Sequence, residues 1–157
     1  MHLTRFGFNT LVLFYLAPLV LIDIAGNTFS TGATSDFYYY KSMFDGLLVA
    51  YCCWQLFGAK QTAHIDTARN RTFDKNDEVV GFENIGAIEH IYCGTLCLYA
   101  ALNWYFMHSL NAAATGVVSI GTLVWSFLSI AIAILSAIQF YHLKSGAIVE
   151  LKKKVLQ

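Results

Sequence analysis

Two histidines and a glutamate at the ends of apolar segments form the first candidate site. Glu89 and His90 begin one long apolar segment, and His142 ends another. If these segments are antiparallel helices, the three side chains lie at similar depth, near His64 and Asp66. Imidazole and carboxylate groups are metal ligands, and paired histidines also hold haem iron. The alternative interpretation is that they are ordinary polar residues at helix ends.

A second set of polar residues falls at the opposite ends of the apolar segments. Asp23, Asp45 and His108 are its candidate metal ligands, with Asn103 and Asp36 close to them in the predicted topology. Such a set can bind a metal ion or a polar ligand. The alternative is that these side chains contact water at the segment ends.

Asp45 is the most informative member of this second set. It follows an aromatic run, Phe37 to Tyr40, of the kind that favours a membrane–water boundary. A carboxylate just inside such a boundary costs free energy unless it is paired or hydrated, which marks it as a site hypothesis. Lys41, four residues earlier, is the expected ion-pair partner.

The cysteines give a third constellation. His90, Cys93 and Cys97 recur at helical spacing and share one helix face, and Cys52 and Cys53 are adjacent in another segment. Thiolates bind copper, zinc or iron–sulfur clusters. Buried cysteine is also a common apolar core residue, and both interpretations stay open.

The composition indicates the elements that position these residues. Apolar residues make up 57% of the chain and charged residues 13%, whereas soluble domains carry about 25% charged residues. The apolar residues form blocks long enough to cross a bilayer. The sequence predicts an all-α polytopic membrane protein, a single domain of residues 1–157 with four transmembrane helices in an up-down bundle. The predicted spans are about 6–25, 43–59, 85–107 and 117–142.

Three segments connect or follow these spans. Residues 26–42 are predicted to form the first loop, and Pro18 to kink the first span. The polar inner loop, 60–84, is expected to include a short surface helix. The basic tail, 144–157, is expected to continue as an amphipathic helix.

The basic residues predict the orientation of the bundle. Four spans place the N-terminus, the 60–84 loop and the tail on one side, and nine of the ten lysines and arginines lie there: Arg5, Lys60, Arg69, Arg71, Lys75, Lys144, Lys152, Lys153 and Lys154. Lys41 alone lies on the other side. This asymmetry predicts both termini on the cytoplasmic or matrix side of a plasma membrane or mitochondrial inner membrane.

Small residues form a periodic face on the fourth span. They recur with a period of 3.5, at Ser119, Thr122, Ser126, Ser129, Ala133 and Ser136. Helices in lipid associate through such small faces, so we expect this one to pack against another helix. Bulky residues on the other faces are expected to meet lipid: Leu123, Val124, Trp125, Phe127, Leu128, Ile130, Ile132 and Ile134. The alternative is that the serines bond to their own backbone.

From the sequence we expect this protein to have a structural role. The sequence contains no recognised catalytic motif, and its formal net charge of zero gives no signature of nucleic-acid binding. We therefore expect a small accessory or anchor subunit of a larger membrane complex (respiratory, photosynthetic or oxygenase-like), in contact with the lipid bilayer and other membrane subunits. The alternative is a cofactor-bearing subunit or small membrane enzyme using haem, quinone or copper. A channel or transporter is disfavoured because no charged residue falls at the middle of a predicted span.

Overall fold

Long helices contain most of the chain in the computed structural model, which describes residues 5–29, 31–57, 62–65, 79–113 and 120–153. The predominantly α-helical fold is confirmed. The elements in chain order are α1 (Arg5–Phe29), α2 (Ala33–Phe57), β1 (Thr62–His64), β2 (Val79–Asn84), α3 (Ala87–Ala113), α4 (Ile120–Lys144) and β3 (Ile148–Lys153).

The first two helices form an antiparallel hairpin. Moving back along α1 from the turn, its contacts reach progressively later residues of α2. The Ser35 hydroxyl donates a hydrogen bond to Asn27 Oδ1 (2.7 Å). Near the far end of the hairpin, the Cys52 thiol donates to the backbone carbonyl of Asn9 (3.0 Å). These contacts fix the register of α1 against α2.

The predicted first loop, 26–42, is wrong in extent. α1 continues to Phe29 and α2 already begins at Ala33. Gly32 reverses the chain with a positive φ of 64°, a conformation in which glycine has no side-chain penalty. The amide of Asp36 then bonds to the carbonyl of Gly32, and its carboxylate in the first turn favours the helix dipole. The aromatic run beyond Asp36 therefore belongs to α2.

The last two long helices, α3 and α4, also pack against each other. Phe140 of α4 lies edge-on to the ring of His90, and it is the side chain nearest to Gly94. Phe140 continues the spacing of the small-residue face, four residues after Ser136. This contact indicates that the C-terminal part of that face is turned towards α3.

Burial along α4 follows the small-residue face. Ser129, Ala133 and Ser136 are buried, and Ser126 is half-buried. Ser119 and the side chain of Thr122 lie outside the described part of the chain. Most of the bulky residues are exposed, as Phe127 shows. Ile132 was expected to face lipid but is buried, because it adjoins Ala133 on the inward edge of the face.

Two parts of the polar loop pair with the tail in a sheet, where the sequence predicted a helix for the tail. Most of the surface helix predicted for the loop lies outside the described residues, and Ile65 is helical. β3 is the central strand and pairs antiparallel with β1 on one side and β2 on the other. Val149 and Leu151 are buried on one face, with Ile65 packed against them. The two-residue spacing of this buried pair is that of a half-buried strand.

Gly146 explains why the predicted tail helix is wrong. It adopts a φ of 70° and its amide bonds to the carbonyl of Leu143, while the amide of Ala147 bonds to the carbonyl of His142. This pair of hydrogen bonds is the Schellman motif, which ends a helix at a left-handed glycine. The chain therefore leaves α4 in an extended direction and enters β3.

The helices bury polar side chains beside their apolar core residues, and they expose many large apolar side chains. The buried residues include Asn9, Asp23, Asp45, Gln55, Asn103, Ser129, Ser136 and Gln139. Large apolar side chains are exposed on all four helices, and Phe57 reaches 88% exposure. Among the described residues, α1 and residues 123–144 of α4 are long and apolar enough to cross a membrane.

We predict that Gly26→Ala destabilises the α1–α2 hairpin and that Gly46→Ala does not. A Cβ atom at Gly26 would lie 2.9 Å from the ring of Tyr38, whereas one at Gly46 would meet nothing within 4 Å. The first change should cost about 1–3 kcal/mol of unfolding free energy through overpacking. The second should be neutral or stabilise by up to ~1 kcal/mol through helix propensity. Unfolding in mixed micelles, followed by circular dichroism, measures both, and equal effects would contradict the packing described.

Candidate functional site

One lysine joins two buried carboxylates inside the α1–α2 hairpin. Lys41 Nζ donates to Asp23 Oδ2 at 2.6 Å and to Asp45 Oδ2 at 2.9 Å. The side chains of Asp23 and Asp45 are 4% and 0% exposed, and that of Lys41 is 18% exposed. We call these three residues the triad. Charge-assisted bonds of this length are the strong class of hydrogen bond.

The inward face of α2 positions two members of the triad. Lys41, Asp45, Leu48, Cys52 and Gln55 recur at intervals of four and three residues, so they form one stripe along the helix. The last four are buried. Helical spacing alone therefore places Lys41 and Asp45 one turn apart on the same face.

The helix α1 supplies the third member from its own inward face. Asp23 follows the buried residues Leu16 and Leu19 at helical spacing. It approaches Lys41 because the turn at Gly32 brings the two helices back side by side. The triad is thus a link across the hairpin. The sequence predicted the Lys41–Asp45 pair and grouped Asp23 with Asp45, but it did not predict the bond between Lys41 and Asp23.

The position of Asp45 in α2 corrects one expectation. The helix contains 25 residues, from Ala33 to Phe57, and Asp45 is the thirteenth. The sequence placed it near the start of a shorter span, and the early start of α2 moves it to the helix midpoint. Asp45 is therefore the central residue of α2, a helix that is less apolar than α1 and α4.

The carboxylates of the triad can accept more hydrogen bonds than they receive from the described residues. Asp45 Oδ1 is buried and receives no hydrogen bond from the described residues. Because Lys41 Nζ bonds to one oxygen of each, the Asp23 and Asp45 carboxyl groups are also close to each other. In their usual charge states, two carboxylates and one ammonium leave an excess of one negative charge. A buried excess charge is costly without a further partner.

The sequence grouped three further residues with Asp23 and Asp45, namely His108, Asn103 and Asp36. The ring of His108 stacks on Trp104, with centroids 5.7 Å apart and planes at 13°. Asn103 is buried. Asp36 is exposed in the first turn of α2.

The histidines of the first candidate set make two separate aromatic contacts, His142 with His64 and His90 with Phe140. The rings of His64 and His142 meet edge to face with centroids 6.3 Å apart, as the predicted approach of the polar loop to the end of α4 required. His90 has Nδ1 3.1 Å from the carbonyl of Gly86, in addition to its contact with Phe140. The amide of Glu89 bonds to the same carbonyl. Asp66 lies outside the described residues.

The cysteines carry thiols and form no disulfide. Cys52 and Cys93 are buried, and Cys53 and Cys97 are half-buried. The Cys52 thiol contacts the backbone of Asn9 within the hairpin. The geometry of Cys52 is that of a core residue with a weak hydrogen bond.

In the described ranges, no group of three or more histidine, cysteine, aspartate or glutamate side chains is arranged to hold a metal ion. Comparison with protein-family models, with curated proteins and with solved structures finds no match to this chain. The local geometry of the triad is therefore the starting point for a functional argument.

We predict that Lys41→Met destabilises the protein more than the triple change Asp23→Asn, Lys41→Met, Asp45→Asn. Removing the lysine alone leaves two buried carboxylates without their cation, and breaking a buried pair costs about 3–5 kcal/mol. The triple variant removes the charges together. Asp36→Asn, which removes an exposed carboxylate on the same helix, is the control and should change stability by less than about 1 kcal/mol, the size of its interaction with the helix dipole. The free energy of unfolding in micelles is the measurement, and a Lys41→Met variant as stable as the control would refute the pairing.

Proposed function

We propose that this chain is a four-span integral membrane protein that serves as a structural subunit of a larger membrane complex. The observation that carries the membrane placement is the exposure of large apolar side chains on helices that also bury polar groups. Carboxylates and amides are buried, while phenylalanine side chains on every helix are exposed. Soluble monomers rarely expose large contiguous apolar patches. A hydrocarbon surrounding accounts for both halves of this distribution, because it solvates the apolar side chains and drives polar ones inward.

Hairpin packing supports four spans, although only two helices are apolar enough by composition. α2 packs along α1, and α3 packs along α4. A helix of equal length that packs along a spanning helix reaches the same depths in the membrane. The helices contain 25 to 27 residues, about 37–40 Å at 1.5 Å per residue. That length exceeds a hydrocarbon core of about 30 Å.

The sheet supports an even number of crossings between residues 84 and 148. β2 leads directly into α3, and β3 follows α4. Their antiparallel pairing requires α3 and α4 to leave from and return to the same side. With the nine-to-one distribution of lysine and arginine, this favours the cytoplasmic or matrix side for the sheet and both termini.

Two exposed aromatic side chains near helix ends support helices that cross a membrane. Trp54 and Tyr141 are exposed, and each lies three residues before the end of its helix. Amphipathic rings favour the headgroup level on both sides of a bilayer, so their positions agree with helices that cross it.

The structural role rests on the surfaces of α2 and α3. Both helices fall short of the apolarity of α1 and α4, yet they expose Leu47, Trp54, Leu98 and Phe106. A helix of intermediate polarity is more stable beside other helices than surrounded by lipid. Aromatic side chains are also enriched in protein interfaces. We therefore propose that partner subunits cover the outer faces of α2 and α3.

We predict that the tagged protein, extracted from its own membranes in mild detergent, arrives in native mass spectrometry with partner subunits in fixed ratio. Leu47→Lys and Leu98→Lys place a charge on the proposed contact faces and should release the partners. Phe127→Lys on α4 is the matched control and should retain them. A chain that arrives alone, or only as a homo-oligomer, would overturn the subunit proposal. Haem, quinone or copper mass on the chain itself would support the cofactor-bearing alternative instead.

A further inference from the structure

We propose that the triad of Asp23, Lys41 and Asp45 binds one small monovalent cation, with Asp45 Oδ1 as an oxygen that receives it. The cation is a proton or an alkali-metal ion, and the experiment below distinguishes these sources. The inference builds on the membrane placement and is independent of the proposed partner subunits.

The first support is the unused oxygen. Lys41 Nζ takes one oxygen from each carboxylate, and Asp45 Oδ1 remains without a donor from the described residues although the side chain is fully buried. An unpaired carboxylate oxygen away from water is costly. A cation at this atom removes that cost and also reduces the repulsion between the two carboxyl groups that share Lys41 Nζ.

The formal charge of the triad selects the valence of the ligand. Two carboxylates and one ammonium sum to one negative charge. A monovalent cation makes the group neutral, whereas a divalent cation would leave a positive charge of the same size. Uncompensated charge is strongly disfavoured in low-dielectric surroundings, so the neutral combination is the preferred one.

The depth of the triad in the membrane is consistent with a ligand that is transported across the membrane or bound within it. Asp45 is at the midpoint of α2, close to the bilayer centre when α2 spans. Ionisable residues at this depth mark ion and proton pathways. Lys41 is the most exposed member of the triad, and its ammonium is a tethered cation that competes with the ligand for the same two carboxylates.

The test measures cation-dependent stability of the full-length protein in detergent. The buffer cation is N-methylglucamine, which is too large for the site, and sodium or potassium is titrated at fixed pH. A separate series varies pH without alkali ions. We expect a saturable rise in the melting temperature with one of these variables. A response to sodium or potassium identifies an alkali-metal ion, and a response to pH alone identifies a proton.

Near-isosteric variants locate the response. Asp45→Asn and Asp23→Asn keep an oxygen for Lys41 and should weaken the cation dependence at least about tenfold, the loss expected for one hydrogen bond to a charged group. Asp36→Asn should respond as the unmodified protein does. The same titration followed by infrared carboxyl bands should show a change that is missing in Asp45→Asn, which gives a readout independent of folding.

Two results would overturn the proposal: no dependence on alkali ions or pH in the unmodified protein, or the same dependence in Asp45→Asn. Neither result bears on the partner subunits. A chain purified alone that retains the dependence keeps the site and loses only the subunit role.

Discussion

Lys41 between two buried carboxylates is the interaction on which the first hairpin depends. Buried charges are stable only when they are paired and hydrogen-bonded, and a single ammonium group serves both Asp23 and Asp45. This arrangement constrains the two helices at once. Sliding α2 by one turn would move Lys41 away from Asp23 and leave that carboxylate unpaired. The pairing therefore specifies register, whatever its net contribution to stability.

The same constraint orders the remaining polar groups of the helices. Several side chains that can donate or accept hydrogen bonds lie on inward faces, as Asn9 and Cys52 do in the first hairpin. The α3–α4 hairpin uses small residues instead, since Ser129, Ala133 and Ser136 are buried on one face of α4. Close packing of small faces is how helices associate in lipid. The two hairpins thus use different devices, one ionic and one steric.

The sequence predicted the features that depend on composition and helical period. Four long helices, the Lys41–Asp45 contact and the burial of Ser129 and Ser136 all follow from local spacing. It failed where a single glycine decides the path of the chain. Gly32 shortens the first loop, and Gly146 ends α4 and directs the tail into a sheet. The sequence contained a signal for each of these errors. Gly32 lies within the predicted first loop, and Lys144, Ser145 and Gly146 stand together at the end of α4.

The contact of Asp23 with Lys41 lay beyond local reasoning. The two residues are 18 positions apart, and their meeting depends on the length of the turn between the helices. The start of α2 was misplaced by ten residues, so Asp23 was grouped with Asp45 but its bond to Lys41 was not predicted. Strand pairing was missed for a similar reason, because β1, β2 and β3 are short and distant in sequence, and only tertiary pairing stabilises them.

Labelling with a membrane-impermeant maleimide tests the four-span placement most directly. Single cysteines replace Thr31, Asn84, Ser145, Leu47 or Leu98 in a variant without the four native cysteines. The account predicts that the cysteine at 31 reacts from one side of sealed vesicles and those at 84 and 145 react from the other. The cysteines at 47 and 98, exposed on the outer faces of α2 and α3, should stay unlabelled in the bilayer. Reaction of 31 and 84 from the same side, or ready labelling at 47 and 98, would contradict it.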